Sequence, residues 1–248
     1  MTTPPDFQRA RSDEQRAARR RAILDTAAAM LAEMPVAQLS LNELSRRVGL
    51  AKSNVLRYFE SREEILLELL TDATRAFVDH LADTLPAALD GDPSDAALDG
   101  ESDGAPSDGR AGSRPDRLAA LLAEGLAARP VLCDLLSAQA AVLERNVSAQ
   151  VAARYKRAAI DTAGDLGRIV ARHLPELGEY DAFRFVAGAV MVAGAVWTHA
   201  HPSAAMLAAY ASDPELAVLR VDFTDTLRQT LEVLLSGLLA RAGREPGA

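Results

Sequence analysis

Apolar side chains recur at intervals of three and four residues along most of the chain, which is the spacing of an amphipathic helix. The first of these stripes predicts a helix over 13–34 that Pro35 ends, and a longer one predicts a helix that begins after Ser61 and is closed by Pro86. Further stripes predict helices over 116–128, 130–144 and 147–173, and a last helix that starts at 212–215 and runs through Leu238. Runs rich in β-branched residues are nearly absent, so the pattern predicts an all-α fold.

The segment 181–200 differs because it is apolar nearly all round. A helix that is apolar on every face is expected to be buried on every face. Small residues in this segment allow two helices to approach closely, and the last leucine stripe offers a second apolar surface. We therefore predict that both helices pair with their copies in a symmetric four-helix interface. The predicted interface residues are Gly188, Gly194, Leu227, Leu231 and Leu234.

A different pattern covers residues 39–67, where the helical stretches are short. The sequence Ser-Leu-Asn-Glu at 40–43 is a capping box that opens a helix, and Gly49 ends that helix after two turns. A second short helix is predicted over 52–59, followed by another capping box at 61–64. Two short helices joined by a tight turn form a helix-turn-helix, whose second helix fits the DNA major groove.

Charge supports this interpretation only when its distribution is considered. The whole chain carries a net charge of −8, which by itself speaks against a nucleic-acid ligand. Residues 1–62, however, carry a net +4, and residues 63–248 carry a net −12. A basic end on an acidic protein is expected where that end contacts phosphate.

Composition limits where the chain is expected to work. Cys133 is the single cysteine, so no intrachain disulfide can form and a cytoplasmic location is expected. The N-terminus has no apolar run typical of a secretory signal, and the longest nearly apolar stretch, 185–198, is shorter than a membrane span. Residues 90–115 are Gly, Pro, Ser and Asp with almost nothing to bury, which predicts a disordered acidic loop.

The residues around the helix-turn-helix resemble the N-terminal domain of the tetracycline-repressor (TetR) family of transcriptional regulators. The resemblance covers about 15–70 and rests on Ile23 with Ala27, the Gly49-Leu50 turn, and a short recognition helix that ends in Tyr58-Phe59. It implies a helix-turn-helix domain joined to a larger helical ligand-binding and dimerisation domain. By position, the implied DNA-contacting residues are Ser40, Asn42, Lys52, Ser53, Asn54, Arg57, Tyr58 and Arg62. The sequence departs from the family pattern at Ala51, where a capping Ser is common, and at Leu56, where Tyr is common.

The resemblance further implies a division of the chain and a mechanism. We expect a DNA-binding domain at 1–62, a connecting helix at 63–89, the acidic loop at 90–115 and a regulatory and dimerisation domain at 116–248. A homodimer would bind a palindromic double-stranded DNA operator as a repressor, and a small apolar or aromatic effector would lower its affinity by a population shift. The candidate ligand-binding residues are Gln139, Asn146, Tyr155, Phe183 and Trp197.

Other classes of function are less well supported by the sequence. No nucleophile elbow or phosphate-cradling loop is present, so no enzymatic activity, cofactor or catalytic residue is assigned. His199 and His201 lie two residues apart and do not share a helix face, and no third ligand has suitable spacing, so no metal site is assigned. The alternative is a helical protein-interaction module that has lost DNA binding and docks a partner through its acidic part.

Overall fold

The computed structural model describes residues 5–90 and 112–243, and every regular element in these ranges is helical. Short 3₁₀ turns at Val36–Gln38, Leu143–Arg145 and Pro175–Leu177 link some of the helices. The α-helices are α1 (Pro5–Leu31), α2 (Leu41–Val48), α3 (Lys52–Val55), α4 (Arg62–Asp90), α5 (Arg114–Ala127), α6 (Pro130–Ala138), α7 (Ala149–His173), α8 (Gly178–Ala200), α9 (Ala204–Ser212), α10 (Pro214–Ala217) and α11 (Phe223–Ala242). The prediction of an all-α fold is confirmed.

The helices form two parts, which we call the head (α1–α3) and the body (α5–α11). The long helix α4 packs against α1 in the head and against α5, α6 and α7 in the body. In the body, α8 lies among α6, α7 and α11, and α11 also packs along α5. One apolar core of buried side chains runs from Ile23 in α1 to Leu235 in α11, so α4 is the element that connects the two parts.

Several predicted helix ends are wrong by a turn or more. Helix α1 ends at Leu31, before Met34, and α3 ends at Val55 because residues 56–58 form a turn. Pro86 does not close α4, which continues to Asp90. Proline lacks only one amide hydrogen bond, and the burial of Leu85 and Leu89 on either side holds the last turn against the core.

The C-terminal stripe is also interrupted, contrary to the prediction of one helix from 212. Helix α9 occupies 204–212, α10 is a single turn, and α11 begins only at Phe223, capped by Asp222. Leu219 is 60% exposed, so the apolar stripe before Phe223 does not face the core. Periodicity alone could not reveal this break, because the leucine spacing stays helical across it.

The predicted acidic loop falls mostly outside the described residues. At its edges the structure differs from the prediction, because Asp90 still belongs to α4 and Ser113 caps α5. The Ser113 and Asp116 side chains form the two reciprocal hydrogen bonds of a capping box, which starts α5 at Arg114. Residues 91–111 lie outside the described ranges, so the loop stays a prediction there.

The composition of the segment 181–200 predicted burial on every face. This prediction is wrong, because one face of helix α8 is exposed. Ala182, Phe185 and Val186 are buried, whereas Tyr180 and Met191 are 76% and 70% exposed. By length and composition, Pro175–Ala200 is the one helical segment within 5–90 and 112–243 that could cross a membrane. Core helices of soluble proteins meet the same criterion, and here one face of α8 packs against α6, α7 and α11.

Candidate DNA interface and ligand cavity

The turn between α2 and α3 is built by one cap and one glycine. The Ser40 hydroxyl accepts a hydrogen bond from the Glu43 amide at 3.2 Å and starts α2. The Glu43 carboxylate does not return this bond; it pairs with Arg46 and Arg47, whose hydrogen bonds lower the pKa of Glu43. Gly49 takes φ +75°, a left-handed conformation that side chains rarely adopt, and this lets the chain turn directly into α3.

Helix α3 buries one side and leaves the other free. Val55 is fully buried, while Lys52, Ser53 and Asn54 are exposed together with Arg57 in the following turn. Ala51 precedes the helix without a side-chain cap, as its sequence implies. The structure therefore presents four of the predicted DNA-contacting side chains on an unobstructed surface.

The remaining predicted contacts lie around this surface. Ser40 and Asn42 are exposed at the start of α2, and Tyr58 lies beside the Arg16 guanidinium, 6.0 Å from its ring centre. A surface cleft of about 700 Å³ separates α1 from the end of α3, and Arg16, Arg19 and Arg57 line it. Cationic side chains around a cleft of this kind suit a phosphate backbone.

Arg62 is placed differently from the other predicted contacts. Its guanidinium donates a hydrogen bond to the Leu39 carbonyl at 2.9 Å and pairs with Glu63 at 3.1 Å, and the side chain is mostly buried. In this structure Arg62 therefore anchors the loop before α2. A phosphate contact by Arg62 would be made in addition to its bonds with Leu39 and Glu63 or would replace them.

A network of charged side chains joins the head to the body, which sequence reasoning did not find. Arg20 of α1 lies over the Phe59 ring at 4.0 Å and donates hydrogen bonds to the Tyr58 carbonyl and to Glu68 of α4. The buried Glu64 carboxylate pairs with Arg154 of α7 at 2.7 Å. We call Arg20, Glu64, Glu68 and Arg154 the clasp. Arg20 and Arg154 lie more than forty residues from the two glutamates, so no local pattern reveals these pairs.

The body contains a cavity of about 310 Å³ that is partly open to solvent, and we call it the ligand cavity. Its wall is almost entirely apolar and is contributed by α4, α5, α6, α7, α8 and α11. Of the candidate ligand-binding residues, Gln139, Tyr155 and Phe183 line this cavity. Thr71, Thr74 and Phe77 place one face of α4 against the same space.

Two candidate ligand-binding residues do not line the ligand cavity. Trp197 stacks on His201 at 3.8 Å and meets Phe223 edge-on at 5.1 Å, so it packs at the end of α8 and does not line the ligand cavity. Asn146 follows the 3₁₀ turn at Leu143–Arg145 and is also outside the cavity wall. Trp197 lies four residues after Ala193, which lines the cavity, so in α8 the sequence located the helix but not the side-chain direction.

Apart from Tyr155, the polar side chains that line the ligand cavity already have hydrogen-bond partners. Gln139 and Lys156 both donate to Glu144 at 2.8 Å, and despite partial burial these hydrogen bonds lower the pKa of Glu144. Tyr155 is 8% exposed, and its hydroxyl makes no hydrogen bond to any described residue. Burial, together with the charge of Glu144, raises the pKa of Tyr155, so it is a neutral phenol.

The predicted dimer residues divide into two groups. Leu227 and Leu231 are fully buried within their own chain, and Gly194 packs against the α6 backbone, where an added Cβ would lie 3.1 Å from the Leu136 carbonyl oxygen. These three residues pack within their own chain, so they add no exposed surface to the predicted interface. Gly188 and Leu234 remain partly exposed.

Other apolar side chains extend that surface. Met191 of α8 and Val233 of α11 are each 70% exposed, and α9 and α10 bury no side chain at all. These two short helices contact each other, and neither contributes a buried side chain to the core.

Cys133 is buried in α6, and its thiol donates a weak hydrogen bond to the Leu126 carbonyl at 3.3 Å. Burial, with a smaller contribution from Asp134, raises the pKa of this thiol to about 12. In the ranges that the structure describes, no group of three or more His, Cys, Asp or Glu side chains could hold a metal ion.

A basic helix-turn-helix head joined by one long helix to a helical body is the architecture of a DNA-binding transcriptional regulator. Comparison with family models agrees. The model described as bacterial regulatory proteins, tetR family, matches residues 23–69, and the model described as tetracyclin repressor-like, C-terminal domain, matches 72–242. Since the second match covers more than half of the chain, the protein belongs to the TetR family. No curated protein matches the chain.

Proposed function

We propose that this protein is a ligand-responsive repressor that binds a palindromic operator as a homodimer. The observation that carries the proposal is the course of α4. Its first turn holds Arg62 and Glu64 beside the helix-turn-helix, and two turns later Thr71 and Thr74 line the ligand cavity. A ligand that fills the cavity therefore touches the helix that positions the head.

The proposed DNA surface consists of α3 and the start of α2. Lys52, Ser53 and Asn54 project from α3 and would enter the major groove, where Asn side chains read base edges. Ser40 and Asn42 flank the groove from α2. Arg57, Tyr58 and Arg62 would contact the phosphate backbone, which positions the protein without reading sequence.

The proposed dimer interface uses the faces of α8 and α11 that the body leaves uncovered. Gly188 lies within 3.7 Å of Leu234 when a Cβ is added, so the two helices meet there, and Met191 and Val233 extend the exposed apolar surface. Exposed apolar area of this kind is typical of a subunit contact. A two-fold dimer would present two recognition helices about 34–36 Å apart, one turn of DNA.

The proposed effector response is a population shift between two spacings of the heads. An apolar ligand would favour the arrangement of α4 that best encloses the ligand. Operator affinity would then fall by at most the ratio of the ligand's affinities for the two states of the protein. We further propose the domain limits 1–62, 63–89, 90–115 and 116–248, a cytoplasmic location and no enzymatic activity of the chain itself.

The test is a gel-shift assay with purified protein and the DNA that flanks its own gene. Tyr58→Phe and Arg62→Ala should weaken binding to all sequences alike, whereas Asn42→Ala and Asn54→Ala should change which base pairs are preferred. Arg241→Ala, an exposed arginine in the last turn of α11, is the matched control and should leave binding unchanged.

Failure of all four substitutions to alter operator affinity would show that the reading surface lies elsewhere. Absence of any shifted DNA would instead favour the interaction-module alternative, in which the acidic body docks a protein partner. Sedimentation at micromolar concentration tests the homodimer, because a monomer at that concentration contradicts it.

A further inference from the structure

A second, smaller cavity of about 210 Å³ adjoins the ligand cavity between α4 and α7. Thr71, Tyr155 and Ala158 line both spaces, so the two cavities meet at these side chains. A larger share of the wall is polar in the second cavity than in the first, and this wall includes charged side chains. Its α4 wall carries Glu64, Glu68 and Asp72, each one turn after the last, and we call it the acidic annex.

The charges of the acidic annex are not balanced. Its α7 wall offers one cation, Arg154, which pairs with Glu64, and Arg20 reaches Glu68 from the head. Asp72 is exposed and forms no ion pair with any residue of the described ranges. Three carboxylates thus share two paired guanidinium groups. Arg21 lines a separate surface cleft with Asp72 but forms no ion pair with it, so the excess negative charge lies at Glu68 and Asp72.

Two further observations show that this place lacks a partner. The Tyr155 side chain is nine-tenths buried at the junction of the cavities, yet its hydroxyl has no hydrogen bond within the described residues. The hydroxyl oxygen is accessible from the cavities that Tyr155 lines, so it is free to form a hydrogen bond with a ligand atom or with water. Burial also raises the pKa of Glu68 despite the nearby Arg20, so its carboxylate gains from a second cation.

We propose that the effector is an amphiphilic cation, whose apolar chain or ring fills the ligand cavity and whose ammonium or amidinium group lies in the acidic annex between Glu68 and Asp72. This inference rests on the proposed ligand response. A ligand of this type satisfies the apolar wall and the excess carboxylate at once. Lys156 lies on the ligand cavity but is paired with Glu144, so it does not cancel the attraction.

The position of the annex also gives the ligand a route to the head. A cation beside Glu68 competes with Arg20, and Arg20 is the side chain that holds the Tyr58 carbonyl and covers the Phe59 ring. Binding would weaken that part of the clasp and loosen the turn after α3. The same contact that selects the charge of the ligand would therefore transmit its presence to the DNA surface.

The experiment compares three ligands of equal chain length by calorimetry on the full-length protein without DNA. Decyltrimethylammonium, 1-decanol and decanoate are used below their micellar concentrations. The cation should bind most tightly and decanoate most weakly. Asp72→Asn and Glu68→Gln should each weaken binding of the cation about tenfold, as expected for loss of one nearby charge, and should leave 1-decanol binding unchanged. Asp79→Asn, exposed on the same helix outside both cavities, is the control.

Equal or tighter binding of 1-decanol or decanoate overturns the proposal, as does a lack of binding by all three compounds or an Asp72→Asn variant that binds the cation like wild type. Glu68→Gln also frees Arg20, so circular dichroism melting checks its fold. Asp72 is exposed, so its variant carries the test if Glu68→Gln unfolds. A gel shift without ligand reports operator binding separately, so loss of the cation preference and loss of the regulator function give different results.

Discussion

The contact between Gly194 of α8 and the backbone of α6 offers a quantitative test of the packing. A Cβ built at residue 194 would lie 3.1 Å from the Leu136 carbonyl oxygen and 3.2 Å from its carbon. These partners are backbone atoms, so they cannot rotate away as a side chain would. Overpacking of this kind costs about 1–3 kcal/mol of unfolding free energy.

A second glycine supplies the matched control. Gly164 lies in the middle of α7, and its added Cβ would meet only the end of the flexible Arg168 side chain at 3.6 Å. In both helices, replacing Gly by Ala stabilises by about 1 kcal/mol because Ala loses less backbone entropy. This gain cancels in the comparison. We therefore expect Gly164→Ala to be stabilised by about 1 kcal/mol, and Gly194→Ala to lie about 1–3 kcal/mol below it.

Urea denaturation followed by circular dichroism, at one fixed protomer concentration, measures the difference, since the stability of a dimer depends on concentration. Equal stabilisation of the two variants would refute the close approach of α8 to α6. It would also restore Gly194 as a candidate for the subunit contact. A Gly194→Ala protein that dissociates without losing stability as a monomer would refute it as well.

Two more predictions concern charged pairs. Arg154→Met leaves the buried Glu64 carboxylate without its α7 partner. Because Arg154 is half exposed, we expect the unfolding free energy to fall by about 1–2 kcal/mol, measured by thermal melting. We also expect altered operator affinity in a gel shift. Lys156→Met removes a hydrogen bond that lowers the pKa of Glu144. The stabilisation by this hydrogen bond is present above the ordinary glutamate pKa of 4.5 and is lost as pH falls through the lowered pKa of Glu144. Wild type should therefore be more stable than the variant at pH 7, and this difference in unfolding free energy should disappear on acidification. A difference that does not depend on pH contradicts the reasoning.

The sequence predicted the fold and the head well because their signals are local. The Ser40 cap, the Gly49 turn and the capping pair at Ser61 and Glu64 each act within four residues, and the structure contains all three hydrogen-bonded turns. The apolar stripes also predicted helices at the positions of α4 and α7.

What the sequence could not predict depends on direction and distance. Trp197 and Tyr155 are both apolar-face aromatics, yet only Tyr155 points into the ligand cavity. Leu231 has the spacing of an interface residue, but packing against α5 and α8 buries it in its own chain. The clasp joins Arg20 to residues more than forty positions away, and no local rule reports such a contact.

Because the Cys133 thiol is unreactive, a spectroscopic probe can be attached to this protein at a single chosen site. With its pKa raised to about 12 and its side chain buried, this thiol stays protonated and shielded in the folded protein at neutral pH. In a Lys52→Cys variant, the new exposed cysteine would then take up a thiol-reactive label alone, and Cys133 would not need to be replaced. In a homodimer the two labels would sit on the two reading heads, and the distance between them, read by paramagnetic resonance or energy transfer, would follow the spacing of the heads as ligand is added.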